Sequence, residues 1–305
     1  LDAAQVQLAR NPYFPIELVA NSIPRATLNF YRPTALNEFL SNLDPKKQNL
    51  IYLIGASTTD AQIKRIKDLG YLVEMNPSEW LGHLGFHESV SLHDRILVAA
   101  AIDSARREIE SAAPLGQAAY SVPPSDRVFG IGKIEYSRIS ENLLRQVRSK
   151  KLSRKLVIGT MDFLQNIPFI QATISGLKKS LGDLVEVKIF PRKDYDKLFS
   201  SAVDIYLSVQ GISAADPAHH LTFFLKSDKV FSEAICHDDV TKLALIEKAE
   251  EFAQAAKALE LRLLKKRVIV PLIHFPGIVA SAAFLERDEK LAGPWGIRTW
   301  SYRPR

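Results

Sequence analysis

The sequence predicts an α/β fold organised on a parallel sheet, and three observations predict it. Short apolar runs at Lys155–Gly159 (KLVIG), Leu184–Phe190 (LVEVKIF) and Val203–Val209 (VDIYLSV) have the length and composition of strands. Between the first two, Leu164–Leu181 places Ile167, Ile170, Ile174, Leu177 and Leu181 at spacings of three and four, which is one buried helical face. Gly182 stops that helix and Pro191 stops the second strand, after which Lys193–Ser201 fits a helix of about two turns. The resulting βαβαβ unit makes the three strands parallel neighbours in one sheet, because strands separated by single helices rejoin a sheet by crossovers, which are right-handed.

Open sheets of this kind bind ligands beyond the carboxyl ends of their strands. Here that end leads into Gln210, Gly211, Ile212 and Ser213, and then to Asp216 before Pro217. Gly211 permits close backbone approach, and the Asp216–Pro217 step marks a turn. On these residues alone the segment is either a ligand loop or a plain exit loop.

Taken in order, Leu1–Arg10 reads as the closing turns of a segment, punctuated by Asn11, Pro12 and Pro15. Ile16–Ala20 reads as a strand and Ala35–Leu43 as a short helix with Leu36, Phe39 and Leu40 inward. Asn49–Ile54 is almost continuously apolar, as in a strand buried on both faces, and Thr58 or Thr59 caps the helix that Gly70 ends. Tyr71–Met75 is the next strand. Ser78–Phe86 (SEWLGHLGF) is another, with glycines where backbones approach closely. Asp94–Ser111 is the best helix of the first half, Pro114–Gly132 is loop-like, and Ser137–Val147 is a helix. Asp238–Lys266 reads as one long amphipathic helix, with acids early and Lys265, Lys266 and Arg267 late to suit its dipole. Val268–His274 is a buried strand, and Pro271 within it implies an edge, a bulge or a hinge.

The chain has 305 residues, enough for a large core and for two lobes. Its net charge of +6 allows attraction to anionic surfaces, yet the basic residues are spread among 34 acids. The densest run, Arg145–Lys155, reads as a solvated helix end and linker, and no recognition-helix pattern accompanies it, so nucleic acid is not an expected partner. One cysteine, Cys236, excludes an internal disulfide. No stretch has the roughly 18 to 20 apolar residues of a membrane helix.

No catalytic pattern stands out. Ser213, Asp216, His219 and His220 are close in sequence, but no G-x-S-x-G elbow holds a nucleophile. Cys236, His237, Asp238 and Asp239 have metal-like composition, yet adjacent positions rarely face one ion, and acids at the positive end of a helix fit better. Gly130 and Gly132 lack the third glycine of a dinucleotide loop, and no Walker sequence occurs, so no cofactor is expected.

Several stretches, in order, resemble the family 5 extracytoplasmic solute-binding proteins, the oligopeptide and dipeptide receptors of ABC importers. Arg10–Phe14 is similar to their R-N-P-x-Y/F/W element, and Phe86–His87 with Leu92–Ile109 to their F-N and A-I-D-R stretches. Gly116–Pro124 resembles the family's proline-paired loop, Asp204–Leu221 its D-x-x-D-P-x-x-x-L segment, and Val270–His274 its I-P-L-Y element.

The resemblance implies a two-lobed, periplasmic-binding-protein-like fold of class II type. Residues 87–268 would form one complete α/β lobe with the βαβαβ core at 155–209, and residues 1–86 with 269–305 an incomplete one, with hinges near Phe86 and Pro271. It implies a non-catalytic, periplasmic or extracytoplasmic receptor that holds a peptide or other small solute and delivers it to ABC transporter membrane subunits. It also implies an N-terminal portion absent from this chain, without which an exposed sheet face self-associates. The ligand residues carried over are Gln210, Gly211, Ile212, Ser213, Asp216 and His87. Ser213 stands where oligopeptide receptors place an acid for the peptide ammonium, Gln210 where an aromatic is common, and His87 where asparagine is usual. A neutral hydrogen bond contributes about 0.5–1.5 kcal/mol and a charge-assisted one about 1.5–3, so Ser213 would anchor an ammonium weakly. Two alternatives remain: a ligand-sensing regulatory module of the same fold, and a small hydrolase or transferase if Ser213, Asp216 and His219 converge.

Overall fold

The structure is a computed structural model and describes residues 4–9, 25–30, 36–47, 49–123, 130–212, 235–287 and 302–304. Along the chain run β1 (Ala4–Ala9), β2 (Arg25–Phe30), α1 (Leu36–Ser41), β3 (Leu50–Ile54), α2 (Asp60–Asp68), β4 (Tyr71–Phe86), α3 (Leu92–Ser111) and β5 (Gln117–Ala118). They are followed by α4 (Lys133–Gln146), β6 (Leu156–Met161), α5 (Pro168–Leu181), β7 (Val185–Phe190), β8 (Ile205–Gly211), α6 (His237–Ala244) and α7 (Ala249–Lys266). The last strands are β9 (Ile269–Ala282), β10 (Leu285–Arg287) and β11 (Tyr302–Pro304).

Two compact units result, a smaller one of Leu1–Pro77 with Pro276–Arg305 and a larger one of Ser78–Phe275. The divisions fall inside β4 and β9. Phe86 and Pro271, expected at the crossings, both lie in the larger unit and both are buried.

In the smaller unit, β1 pairs antiparallel with β2, so Leu1–Arg10 contributes a strand rather than closing turns. The sequence AQVQLA alternates apolar with polar, the period of a strand. Ile16–Ala20 lies outside the described residues. In α1, Phe39 and Leu40 are buried. Thr59 caps α2 with a reciprocal pair: the Gln62 N–H donates to Thr59 Oγ1 at 3.3 Å, and the Thr59 N–H donates to Gln62 Oε1 at 2.8 Å. β3 pairs antiparallel with the later part of β9, from Leu50↔Ser281 to Ile54↔Gly277.

The larger unit carries the βαβαβ core. β6 pairs in parallel with β7 on one side and β8 on the other. β8 also pairs antiparallel with the later part of β4, from Phe86↔Ile205 to Trp80↔Gly211. The crossover between β7 and β8 is a 3-10 segment, Arg192–Phe199, interrupted by non-helical backbone at Asp194, and not the α-helix expected there. It buries only Leu198, so it has no apolar stripe with which to anchor a longer helix.

Tyr71–Met75 and Ser78–Phe86 are one continuous strand, β4. Its glycines make room for rings, not for backbones. A Cβ on Gly82 would lie 2.7 Å from the Phe169 ring, and one on Gly85 1.9 Å from the Tyr206 ring. The predicted helix Asp238–Lys266 is two helices, α6 and α7. Val240 and Leu243 are buried in α6, but Glu247, Lys248, Glu250 and Glu251 then occupy the positions where an apolar stripe would continue, so no burial rewards an unbroken helix. Pro271 sits in a fully buried strand, and its carbonyl is taken by the Arg106 guanidinium at 3.2 Å.

Candidate functional site

β8 ends where its pairing with β4 ends. Gln210 lies opposite Leu81 and Gly211 opposite Trp80, and the Ile212 N–H donates to the Glu79 carbonyl at 2.6 Å. Ile212 turns inward and is buried, Gln210 is half-buried, and Gly211 is exposed. A Cβ on Gly211 would meet the Trp80 indole at 3.5 Å, an ordinary contact, so packing does not require glycine there. Gln210 on β8 and Glu79 on β4, both half-buried, are polar residues that the described chain places at this end. Ser213, Asp216 and His219 lie outside the described residues.

His87 is held at the opposite end of β8. Its N–H donates to the Asp204 carbonyl at 2.8 Å, and its Nδ1 is 3.0 Å from Ser89 Oγ. Ile205 and Gly211 are six strand positions apart, which at about 3.3 Å per residue separates His87 from Gln210–Ile212 by roughly 20 Å. The structure brings Gln210, Gly211 and Ile212 together and does not bring His87 to them.

What surrounds His87 is a polar staple. The Asp204 carboxylate accepts from Arg154 Nη1 at 2.9 Å, from Arg154 Nη2, and from the Val157 N–H at 2.8 Å. Burial pushes the Asp204 carboxyl up, but Arg154 and the Val157 N–H outweigh it and hold the group below the usual carboxylate range. The start of β8, the start of β6 and the turn before α3 are thereby tied together. Beside it, the buried Asp94 accepts the Ser153 N–H at 2.8 Å, and Ser91 caps α3 by accepting the Asp94 N–H at 3.1 Å. Arg154, within a run that reads as solvated linker, is thus a structural ion-pair partner that sequence reasoning missed. Asp204 entered that reading as a residue of the Val203–Val209 strand and as the first residue of a family-like segment.

A second set of buried polar groups pins the proline-paired loop. Glu260 on α7 is buried and accepts the Val122 N–H at 2.8 Å, and burial pushes its carboxyl up to about 7. Ser121 Oγ accepts the Ile131 N–H at 3.0 Å, and His274 Nε2 lies 3.2 Å from the Ser121 carbonyl. On β4, His83 is fully buried with Nδ1 3.3 Å from the Leu81 carbonyl, and burial lowers its imidazole to about 4.

Cys236–Asp239 forms the start of α6. The Cys236 N–H donates to Asp239 Oδ2 at 3.1 Å and Arg262 Nη1 donates to the same oxygen at 2.9 Å, which together hold the Asp239 carboxyl below its usual range. Among the described residues no group of three or more His, Cys, Asp or Glu side chains is placed to hold a metal ion. No helix among them is long and apolar enough to cross a membrane.

No protein-family model matches the chain, and no curated protein matches it. Solved structures do. The chain is similar to a dipeptide-binding protein from Pseudoalteromonas in complex with Met-Leu, with a TM-score of 0.69 at 16% identity over 99% of this chain and 62% of that one. It is similar to the periplasmic binding protein DppA from Helicobacter pylori in complex with a peptide, with a TM-score of 0.68 at 15% identity over 98% and 60%. It is also similar to NikA from Staphylococcus aureus in complex with Ni(L-His)2, with a TM-score of 0.65 at 15% identity over 93% and 63%. The chain thus has an α/β periplasmic-binding-protein-like fold and spans less than two thirds of the length of these structures. That the same fold holds a dipeptide, a longer peptide and a nickel chelate separates fold from ligand.

Proposed function

We propose that this chain is part of an extracytoplasmic solute-binding protein that serves an ABC importer, holding a peptide or another small solute between two lobes and carrying out no catalysis. The observation that carries the reading is the likeness in fold, along almost the whole of the chain, to structures that bind small solutes. The solute is held at the carboxyl end of β8 by Gln210, by backbone groups of Gly211 and Ile212, and by Ser213 and Asp216. His87 contacts no ligand and keeps the amino end of β8 in place. The strands β4 and β9, which carry Phe86 and Pro271, are the hinges, and bending falls near Pro77 and near Pro276. Lobe closure signals the membrane subunits of the transporter.

The test is a thermal-shift panel of peptides, sugars, opines and metal chelates on the full-length protein, with native mass spectrometry of the purified protein for a retained solute. At a hundredfold excess over Kd, a bound solute stabilises the protein by about 2.7 kcal/mol. One class of solute that raises Tm saturably is the expected result. A flat panel, with no retained solute, overturns the importer reading.

A further inference from the structure

The helical layer of the larger unit holds a cleft of about 700 Å³ along α3 and α4, lined also by Arg267 at the carboxyl end of α7. That volume is typical of a small-molecule site. Arg106, Arg107, Lys133 and Arg267 supply its positive charge. The carboxylates in its wall are engaged: Asp103 with Arg106 at 3.2 Å, Glu110 with the Tyr120 hydroxyl at 3.5 Å, and Glu141 with Arg145 at 3.7 Å.

Arg267 is the anomalous member. Its side chain is almost completely buried, at 1% exposure, and its Nη2 donates to Ser140 Oγ. The guanidinium carbon lies 5.0 Å from the centre of the Tyr136 ring, and Nε and Nη1 have no hydrogen-bond partner. A buried cation whose donors meet only neutral groups is costly, and the cost disappears when an anion pairs with it. Capping gives no reason for arginine here. Arg267 has φ 47° and ψ 44°, a left-handed conformation that glycine or asparagine adopts with less strain.

We propose that this cleft binds a small organic anion, a carboxylate or a phosphate, with the Arg267 guanidinium as its partner and the half-buried Tyr120 against its body. On binding, the guanidinium gives up Ser140 Oγ and presents two parallel N–H groups to the oxyanion, the fork geometry that both carboxylate and phosphate accept. Arg107 and Lys133, both exposed at the cleft, raise the local concentration of anions. Lys133 and Tyr136 come from the first turn of α4 and Ser137 follows them, and that end of the helix dipole also favours negative charge. This site is separate from the carboxyl end of β8, and the proposal does not rest on the importer reading.

Isothermal titration calorimetry of the full-length protein with benzoate and with phenyl phosphate, at constant ionic strength, tests it. One of the two binds the wild type saturably, and which one does identifies the oxyanion. Arg267→Asn, which suits the left-handed backbone, weakens that binding about tenfold or more, and Lys133→Gln about twofold. Should Arg267→Asn fail to fold, Ser137→Glu places a carboxylate in the cleft wall and weakens binding by a similar factor. Absence of binding by both anions, or binding unchanged in Arg267→Asn or in Ser137→Glu, overturns the proposal.

Discussion

Glu260 and His83 are both buried in the larger unit, and their titrations act on stability with opposite sign, so replacing one unmasks the pH slope of the other. The Glu260 carboxyl is raised from 4.5 to about 7, so between those values the native state holds a proton that the unfolded chain releases. Stability therefore falls as pH rises through that window, by about 3 kcal/mol in total at about 1.4 kcal/mol per unit. The His83 imidazole is lowered from 6.5 to about 4, so the unfolded chain binds the extra proton and stability rises with pH, again by about 3 kcal/mol. The two windows overlap from about pH 4.5 to 6.5, where the slopes are opposite and close to equal. Together the two groups leave stability nearly flat there.

Glu260→Gln keeps an acceptor for the Val122 N–H and removes the titration. Its stability relative to wild type rises by about 3 kcal/mol between pH 4.5 and pH 8. His83→Gln gives the mirror result, a relative gain that grows as pH falls from 6.5 to 4. Urea denaturation at fixed ionic strength, with midpoints compared at constant m-value, reads both differences. Other groups titrate alike in variant and wild type and drop out of the subtraction. A Glu260→Gln difference that does not change between pH 4.5 and 8 would refute the assignment of a buried, protonated carboxyl.

Three further outcomes follow from contacts already described. Asp204→Ala strands the Val157 N–H and costs about 2 kcal/mol, whereas Arg154→Met, whose side chain is 44% exposed, costs about 1 kcal/mol or less; thermal melts of both check the order. Gly85→Ala forces a Cβ into the Tyr206 ring and costs about 3 kcal/mol by chemical denaturation, and adding Tyr206→Leu restores part of the loss. Gln210→Ala weakens whichever solute the panel identifies by about 2- to 10-fold, while His87→Ala leaves calorimetric affinity within about twofold, and the reverse order would move the ligand to the other end of β8.

The βαβαβ core was legible because its signals are local: apolar runs of strand length, one three-and-four stripe, and Gly and Pro at the breaks. The parallel pairing of β6 with β7 and β8 followed from the crossover connections between them, each of which brings the chain back in the same direction. The antiparallel partnership of β8 with β4 joins residues more than a hundred positions apart and has no local signature. The glycines of β4 were visible, but the rings that fill the space above them come from α5 and β8, which no spacing within β4 reveals. Likewise the stripe that defines α6 and α7 lapses over four charged residues, and a smooth charge gradient across the stretch masked the lapse.

At the site the limit is sharper, because burial of charge is a tertiary event. Lys265, Lys266 and Arg267 are consecutive, and sequence logic assigns all three to the negative end of one helix dipole. Lys265 and Lys266 are exposed in the last turn, as that logic requires. Arg267 lies one residue past the turn, where the left-handed backbone redirects its side chain beneath Tyr136 and Ser140 of α4. A guanidinium in the interior acts as a demand for an acceptor, whereas the same group on the surface is satisfied by water. The difference between a solubilising cation and a buried one is thus set at this position by the left-handed backbone, and that backbone is what Arg267→Asn preserves while removing the charge.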